Sequence, residues 1–163
     1  MRIECRRIDA GLFAPFGSVI DAESRLPELI NDGSTRRHSD LASLDIRGAH
    51  DPILGIYVAR ARHFPFRIAK LECHRRAAQV FVPLGNHRFI VVVAPGDAAP
   101  EWSRLEALVT QAGQGVVLKR GCWHHGLVAL NDGDRFAVIE GGDYRRDTEE
   151  VNAPGLIELE VSS

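Results

Sequence analysis

The chain has 163 residues, of which 45% are hydrophobic and 26% are charged, as in an ordinary globular domain. This length can bury a core and no linker or repeat interrupts it, so we expect one domain spanning residues 1–163. The formal net charge of -2 provides no basic surface for nucleic acid, and we expect no nucleic-acid partner. The N-terminal sequence MRIECRRIDA is charged where a signal peptide would be apolar, and the apolar runs are too short to cross a bilayer. We therefore expect a cytoplasmic protein with no membrane partner.

Short apolar runs bounded by turn signals recur along the chain and predict a mainly β fold. The first run, Arg2 to Arg7, is predicted to be an edge strand followed by a turn or one helical turn. The remaining predicted strands are, in chain order, Ile53 to Ala61, Phe66 to Cys73, Gln79 to Leu84, Phe89 to Ala94, Gly115 to Leu118, Gly126 to Leu130, Phe136 to Glu140 and Leu156 to Val161.

One segment departs from the strand pattern and predicts a short helix. From Pro100 to Ala112, apolar residues recur at helical spacing, and Gly113 follows where a helix C-terminus favours glycine. Residues 141–154 are predicted to be a polar excursion before the last strand. We therefore expect one or two short helices in a fold that is otherwise β.

Two segments match the spacing of the two sequence motifs of a cupin barrel. The first, Glu72 to Gln79, corresponds to HxH, a short gap and Glu. The second, Gly113 to His125, corresponds to G, five residues, PxG, two residues and His, except that Lys119 replaces the proline. The match predicts a cupin-like antiparallel β-barrel or jelly roll. At the positions of the metal ligands of a cupin the chain carries Glu72, His74, Gln79 and His124.

These four polar residues are predicted to share one cavity. Side chains alternate between the two faces of a strand, so Glu72 and His74 point the same way, and Gln79 and His124 can enter from neighbouring strands. His125 must then face away from the cavity. Such a set could still hold a divalent ion, but a neutral Gln79 and a positively charged Lys119 disfavour a cation. We therefore expect no metal and no cofactor.

The order of residues over most of the chain resembles the ureidoglycolate lyase family. The matching elements are Phe13-Ala14-Pro15-Phe16-Gly17-Ser18-Val19-Ile20, Ile30-Asn31-Asp32-Gly33, Arg37, Asp40-Leu41-Ala42, Leu71-Glu72-x-His74, Gln79-x-Phe81-x-Pro83, Val91-Val92-Val93-Ala94, Gly115-Val116 and Trp123-His124-His125. The resemblance implies a cupin-type β fold, a homodimer, and cleavage of ureidoglycolate to glyoxylate and urea in allantoin degradation.

The implied reaction needs a base for the substrate hydroxyl, an acid for the leaving urea nitrogen and a cation for the carboxylate. Histidine can serve as acid or base near neutral pH. We expect His124 to be the base and His74 or Lys119 to be the acid. The residues expected to bind the small-molecule substrate are Arg37 for the carboxylate, Gln79 and Asn31 for the urea amide, and Glu72 and Glu140 as further polar contacts.

The sequence also departs from the usual pattern of the family, and more than one function stays open as a result. Cys73-His74-Arg75-Arg76-Ala77 replaces Arg-His-Pro-Leu-Gly, His38-Ser39 follows Arg37, and Glu140-Gly141 stands in place of Asp-Arg. An enzyme acting on a related hydroxy acid would show the same features. A non-catalytic cupin that binds a small carboxylate or ureide is a second hypothesis, and a metal-dependent cupin such as an isomerase or dioxygenase is a third.

Overall fold

A computed structural model describes residues 1–46 and 51–161. Its helices are short: α1 (Ala10–Phe13), α2 (Tyr144–Asp147) and two 3₁₀ turns at Ala22–Ser24 and Trp102–Arg104. Its strands are β1 (Arg2–Arg7), β2 (Gly17–Ile20), β3 (Glu28–Ile30), β4 (Thr35–Arg37), β5 (Pro52–Val58), β6 (Phe66–Arg67), β7 (Lys70–His74), β8 (Gln79–Pro83), β9 (Phe89–Ala94), β10 (Glu106–Val109), β11 (Gly115–Leu118), β12 (Trp123–His124), β13 (Val128–Ala129), β14 (Arg135–Gly141), β15 (Thr148–Asn152) and β16 (Glu158–Glu160).

Two large sheets and one hairpin organise these strands. The first sheet has nine strands, in the order β15-β7-β12-β9-β10-β1-β16-β6, with β13 also paired to β9. The second has five strands, in the order β2-β11-β8-β14-β5, and β3 and β4 form a separate hairpin. Neighbouring strands are antiparallel except for β1, which runs parallel to both β10 and β16. The expected mainly β, cupin-like class with short helices is confirmed.

Successive side chains of a strand point to opposite faces of its sheet. The main core lies between the two sheets because the side chains that face inward are apolar. On β9, Val91 and Val93 pack into the cluster that also contains Phe81 and Phe136 from the five-stranded sheet. The residues between them, such as Val92, pack into a second cluster on the other face of the nine-stranded sheet. A strand buried on both faces reads as a continuous apolar run, which is the pattern seen at β9.

The helix predicted from Pro100 to Ala112 is wrong. The segment contains a single 3₁₀ turn and then β10, which lies between β9 and β1. Ala107 and Leu108 point to opposite faces and join different core clusters. Because β10 is buried on both faces, its sequence lacks the alternation of polar and apolar residues that indicates a strand. Pairing with β9 and β1 makes this segment a strand.

The position predicted for the first strand is also wrong. The bounds Arg2–Arg7 agree with the prediction, but β1 is an interior strand of the nine-stranded sheet. The helical turn expected after it is present as α1, where the carboxylate of Asp9 accepts hydrogen bonds from the backbone N–H groups of Gly11 and Leu12. The polar excursion at 141–154 contains α2 and β15. No helix among the described residues is long and apolar enough to cross a membrane.

Candidate active site

The inner faces of both sheets bring the motif residues to one cavity. Leu71 and Cys73 of β7 pack into the outer cluster, so Glu72 and His74 point toward the five-stranded sheet. His124 on β12 is registered opposite Glu72. A cavity of about 290 Å³ lies at this place, and its lining is Tyr57, Glu72, His74, Gln79, Phe81, Gly126, Leu127, Glu140, Tyr144 and Thr148.

His124 lies directly behind this lining and is 1% exposed. Its Nε2 atom is 3.1 Å from Oε1 of Gln79 and 3.3 Å from Oε1 of Glu72. Its Nδ1 atom is 3.0 Å from the carbonyl oxygen of Cys122. Every partner is an oxygen, so both ring nitrogens can donate and neither needs a lone pair. The surroundings of His124 therefore offer an acceptor to a proton on either ring nitrogen.

The orientation of the Gln79 amide follows from a second carboxylate. Nε2 of Gln79 donates to Oε2 of Glu140 at 3.0 Å, and the hydroxyl of Tyr57 donates to Oε1 of Glu140 at 3.2 Å. The amide oxygen of Gln79 must then face His124. Burial, followed by the charge of Glu140, raises the pKa of Tyr57 to about 12, so this phenol keeps its proton and remains a donor.

Glu72 stays ionised beside His124. Burial acts to raise the pKa of this carboxyl, but the hydrogen bond to His124 and the positive charge of that ring outweigh it, and the pKa falls below its usual value. Glu72 also lines the cavity, whereas His124 does not. The carboxylate therefore connects the buried imidazolium to the space in which a ligand binds.

His74 is held towards its neutral form. Burial and the positive charge of His124 lower its pKa below the usual value, against smaller opposing effects that include the charge of Glu72. The hydroxyl of Thr148 donates to the carbonyl of Tyr144 at 2.7 Å, so its oxygen accepts the Nδ1 proton of His74 at 3.3 Å. The Nε2 atom of His74 is buried and has no hydrogen-bond partner among the residues that the structure describes. It therefore presents a free lone pair in a ring that lies 5.3 Å, centroid to centroid, from the His124 ring.

Besides His124, three residues expected in the site do not line this cavity. Asn31 adopts a left-handed conformation (φ 52°) in the turn between β3 and β4, and its amide donates to the hydroxyl of Thr35 at 3.3 Å. Arg37 lies on the same hairpin and pairs with Glu28. Lys119 follows β11 with its side chain exposed. The β3–β4 hairpin is not part of either large sheet. The positions of Asn31 and Arg37 along the chain therefore could not show how far these residues lie from the cavity.

Sequence reasoning missed Tyr57, Tyr144 and Thr148. Tyr57 is registered with Phe136, which faces the core, and this cross-strand pairing cannot be read from the sequence. Tyr144 and Thr148 lie in the segment that looked like a polar excursion. By contrast, the inward direction of Glu140 follows from its alternation with buried Val138 on β14.

Two cysteines and a second histidine lie next to the motif residues, and burial keeps the cysteines unreactive. The pKa of Cys73 is raised to about 11 and that of Cys122 to about 12, chiefly by burial, so neither thiol is an activated nucleophile. His125 packs edge-on against Phe66 with the ring centroids 5.4 Å apart, and it is not part of the cavity lining. His124 instead contacts Gln79 and Glu72 on the inner side of the sheet.

Three donor atoms in the cluster also fit a divalent cation. One ligand atom each from Glu72, His74 and His124 lies within 4.8 Å of the other two. The unpartnered Nε2 of His74 is of the type that metals coordinate, and the carboxylate would offset part of the charge. A cation and the proton on His124 would compete for the same Nε2 lone pair.

The two curled sheets and the polar cavity between them define a cupin-like protein with a candidate active site. Among solved structures, a variant of ChmJ, a 3'-monoepimerase from Streptomyces bikiniensis in complex with dTDP, has a TM-score of 0.51 and 15% identity over 83% of this chain and 68% of that chain. This likeness concerns the fold alone.

The sequence comparisons narrow the class to one family. The sequence model described as Ureidoglycolate lyase matches residues 1–160. A ureidoglycolate lyase from Azotobacter vinelandii is 43% identical over 129 residues, which cover 78% of each chain. One from Burkholderia mallei is 40% identical over 144 residues, 87% of this chain and 84% of that one. The chain belongs to the ureidoglycolate lyase family.

The buried histidines predict a loss of stability at mildly acidic pH. Burial lowers the pKa values of His74 and His125 in the folded protein, whereas in the unfolded chain both protonate near pH 6.5. The free energy of unfolding should thus be highest above pH 7 and fall as the pH drops through 6.5 towards the lowered folded values. Each tenfold difference in proton affinity is worth about 1.4 kcal/mol.

Urea unfolding curves at pH 7.5, 6 and 5 measure this loss. His125→Gln should reduce the pH dependence because it removes one of the two groups. His63→Gln, at an exposed histidine, should leave it unchanged. A free energy of unfolding that stays constant over this range in the unmodified protein contradicts the prediction.

Proposed function

We propose that the protein is a carbon–nitrogen lyase that cleaves ureidoglycolate to glyoxylate and urea. Family membership supports the reaction. The observation that carries the chemistry is the pair of histidines whose ring centroids lie 5.3 Å apart, with Nε2 of His124 3.3 Å from the Glu72 carboxylate. A neutral base and a protonated acid are the two groups that this cleavage requires.

The reaction requires one proton to leave the substrate and one to arrive. Nε2 of His74 takes the proton of the substrate hydroxyl, and the oxygen forms the aldehyde carbonyl of glyoxylate. The electron pair of the carbon–nitrogen bond passes to the urea nitrogen, which must be protonated as it leaves. No redox change and no attacking water are needed.

The second proton comes from His124 by way of Glu72. His124 is buried behind the cavity lining, and its Nε2 atom lies 3.3 Å from the Glu72 carboxylate. Glu72 lines the cavity, takes the Nε2 proton of the imidazolium on its carboxylate and delivers that proton to the departing nitrogen. The roles expected from the sequence, with His124 as base and His74 or Lys119 as acid, are thereby reversed for the histidines, and Lys119 takes no part.

The two remaining polar residues of the lining orient the acid. Both ends of the Gln79 amide are engaged, the oxygen by His124 and the nitrogen by Glu140. Gln79 thus fixes the direction of the His124 proton instead of binding the urea amide. The Glu140 carboxylate fixes Gln79, with Tyr57 as its second donor.

Replacing either histidine should reduce turnover by about two to four orders of magnitude, the range for a lost general acid or base. Release of glyoxylate and urea from ureidoglycolate, above the spontaneous rate, measures the effect in His74→Ala and His124→Ala. His63→Ala changes an exposed histidine and should retain full turnover. Near-normal turnover in both cavity variants would overturn the acid–base assignment. An unmodified protein that binds the substrate without cleaving it would be the non-catalytic cupin.

Acid–base chemistry of this kind does not depend on a metal ion. We expect protein dialysed against a chelator to keep its turnover, with metal content measured on the same sample. A loss of activity that a divalent ion restores would reassign Glu72, His74 and His124 as ligands that hold a Lewis acid.

We further propose that the reaction takes place in the cytoplasm, as part of allantoin degradation. The family name supports the pathway. Cys5, Cys73 and Cys122 are free thiols, as is usual in a reducing compartment.

We also propose a homodimer formed through the outer face of the five-stranded sheet at β5. Leu54 and Ile56 lie on this face, opposite to Tyr57, and are 70% and 49% exposed. Val58 lies on the same face of β5 and is 67% exposed, so the apolar surface continues along the strand. Contiguous apolar patches on a soluble protein mark interaction surfaces.

A second copy of the chain is the partner that fits this surface. Among the described strands, β5 is an edge strand of the five-stranded sheet and pairs with β14 alone. A two-fold axis next to such an edge brings the strand against its own copy in antiparallel orientation. This surface replaces the interface expected at Arg2–Arg7, which lies inside the nine-stranded sheet.

Sedimentation velocity at micromolar concentration should give the mass of a dimer. Ile56→Glu should shift the protein to monomer because it places a charge in the apolar contact. Leu12→Glu is the matched control, since Leu12 is 48% exposed but lies on α1. A monomeric unmodified protein, or a dimer unaffected by Ile56→Glu, argues against this interface.

A further inference from the structure

The catalytic cavity, the space of about 290 Å³ lined by Glu72 and His74, must also hold the substrate carboxylate. This carboxylate is bonded to the carbon at which the reaction occurs, so it lies in the same cavity as the hydroxyl and the urea group. Of the described residues, those that line the cavity include Glu72 and Glu140 and no lysine or arginine. An anion in this space therefore needs a hydrogen-bond donor from the lining and a positive charge close behind it.

Three of the lining residues carry a hydroxyl, and two of these hydroxyls are already committed as donors. Tyr57 donates to Glu140, and Thr148 donates to the backbone carbonyl of Tyr144. The pKa of Tyr57 is raised by burial, by Glu140 and then by Tyr144, which places the two phenols within electrostatic range of each other. The hydroxyl oxygen of Tyr144 accepts a hydrogen bond from Nε of Arg145 at 3.0 Å. Its own hydrogen has no acceptor among the residues that the structure describes, and it is available to a ligand.

Arg145 adds positive charge directly beside this free hydroxyl. Its guanidinium also lies over the ring of Tyr144, 5.6 Å from the centroid, so two contacts hold the side chain against the phenol. Within the described ranges Arg145 forms no ion pair with an acid, whereas Arg75 and Arg76 both do. A phenol that accepts a hydrogen bond from a cation becomes a stronger donor through its own hydrogen, because hydrogen bonds in a chain polarise one another.

Tyr144 is held at the cavity because α2 is anchored to the end of β7. The buried carboxylate of Asp147 accepts hydrogen bonds at 3.0 and 3.1 Å from the backbone N–H groups of the two residues that follow His74. Thr148 contacts both the carbonyl of Tyr144 and Nδ1 of His74. The segment that carries the phenol is thus fixed relative to the proposed base.

We propose that the Tyr144 hydroxyl binds the substrate carboxylate inside the catalytic cavity, and that Arg145 is the positioning residue that orients and polarises this hydroxyl. This inference rests on the proposed function, because it takes ureidoglycolate as the ligand. The carboxylate accepts the free hydrogen of the phenol while His74 and Glu72 act on the hydroxyl and the nitrogen of the same molecule. The charge of Arg145 lies one hydrogen bond behind the phenol and offsets the repulsion between the substrate and the carboxylates of the lining.

Steady-state kinetics of Tyr144→Phe test the contact, because this change removes the hydroxyl and keeps the ring. We expect KM for ureidoglycolate to rise about 10- to 100-fold, as for a lost hydrogen bond to a charged group. The carboxylate is bound alike before and during the reaction, so kcat should change less than about threefold. An unchanged KM, or a fall in kcat alone, would overturn the contact.

A double-mutant cycle tests the positioning role of Arg145. Arg145→Ala should raise KM about three- to tenfold, and Arg145→Lys, which keeps the charge and a donor, should raise it less. Arg146→Ala is the matched control, because it removes an exposed arginine of the same helix and should leave both constants within about twofold. In a Tyr144→Phe background, Arg145→Ala should have no larger effect than Arg146→Ala. An equal effect of Arg145→Ala with and without the Tyr144 hydroxyl would overturn the positioning role.

Glycolate, which carries the hydroxyl and the carboxylate without the urea group, tests the contact in the absence of turnover. Calorimetry should show weaker glycolate binding in Tyr144→Phe and in Arg145→Ala, whereas binding of the neutral glycolamide should be little affected by Arg145→Ala. Equal weakening of both ligands in Arg145→Ala would overturn the role of its charge. If the unmodified protein does not cleave ureidoglycolate, the proposed function fails, and glycolate binding decides the contact alone: it stands if Tyr144→Phe weakens that binding and falls if it does not.

Discussion

The contact of His124 with Glu72 and Gln79 is the interaction on which the rest of the site depends. It joins β12 and β7 of one sheet to β8 of the other, at a depth where an unpaired charge would be strongly destabilising. Each polar atom of the contact finds a partner: the imidazolium has three oxygens, and the Gln79 amide has His124 and Glu140. A buried polar network that is satisfied in this way adopts a single arrangement, and so the direction of the proton is determined before a ligand arrives.

The same charge also sets the state of its neighbour. Burial, followed by the charge of a protonated His124 whose ring lies 5.3 Å away, lowers the pKa of His74 and favours its neutral form. Thr148 then determines the tautomer, because its own hydrogen is committed to the carbonyl of Tyr144. Two residues of one type thereby acquire opposite roles, and the difference lies entirely in their surroundings.

Sequence patterns alone predict the strands whose apolar runs are unambiguous and the faces to which their residues point. The bounds of β9 and β11 agree with those predicted, because short apolar runs between turn signals have few competing structures. The shared direction of Glu72 and His74, and the opposite directions of His124 and His125, follow from a period of two and needed no structure. The structure decided what depends on contacts between distant segments. It placed β10 as a strand between β9 and β1, moved Arg37 and Asn31 away on their hairpin, and brought Tyr57 and Thr148 to the cavity. It also assigned the protons, since the state of a histidine depends on the atoms that surround it, and those atoms come from strands far apart in the chain.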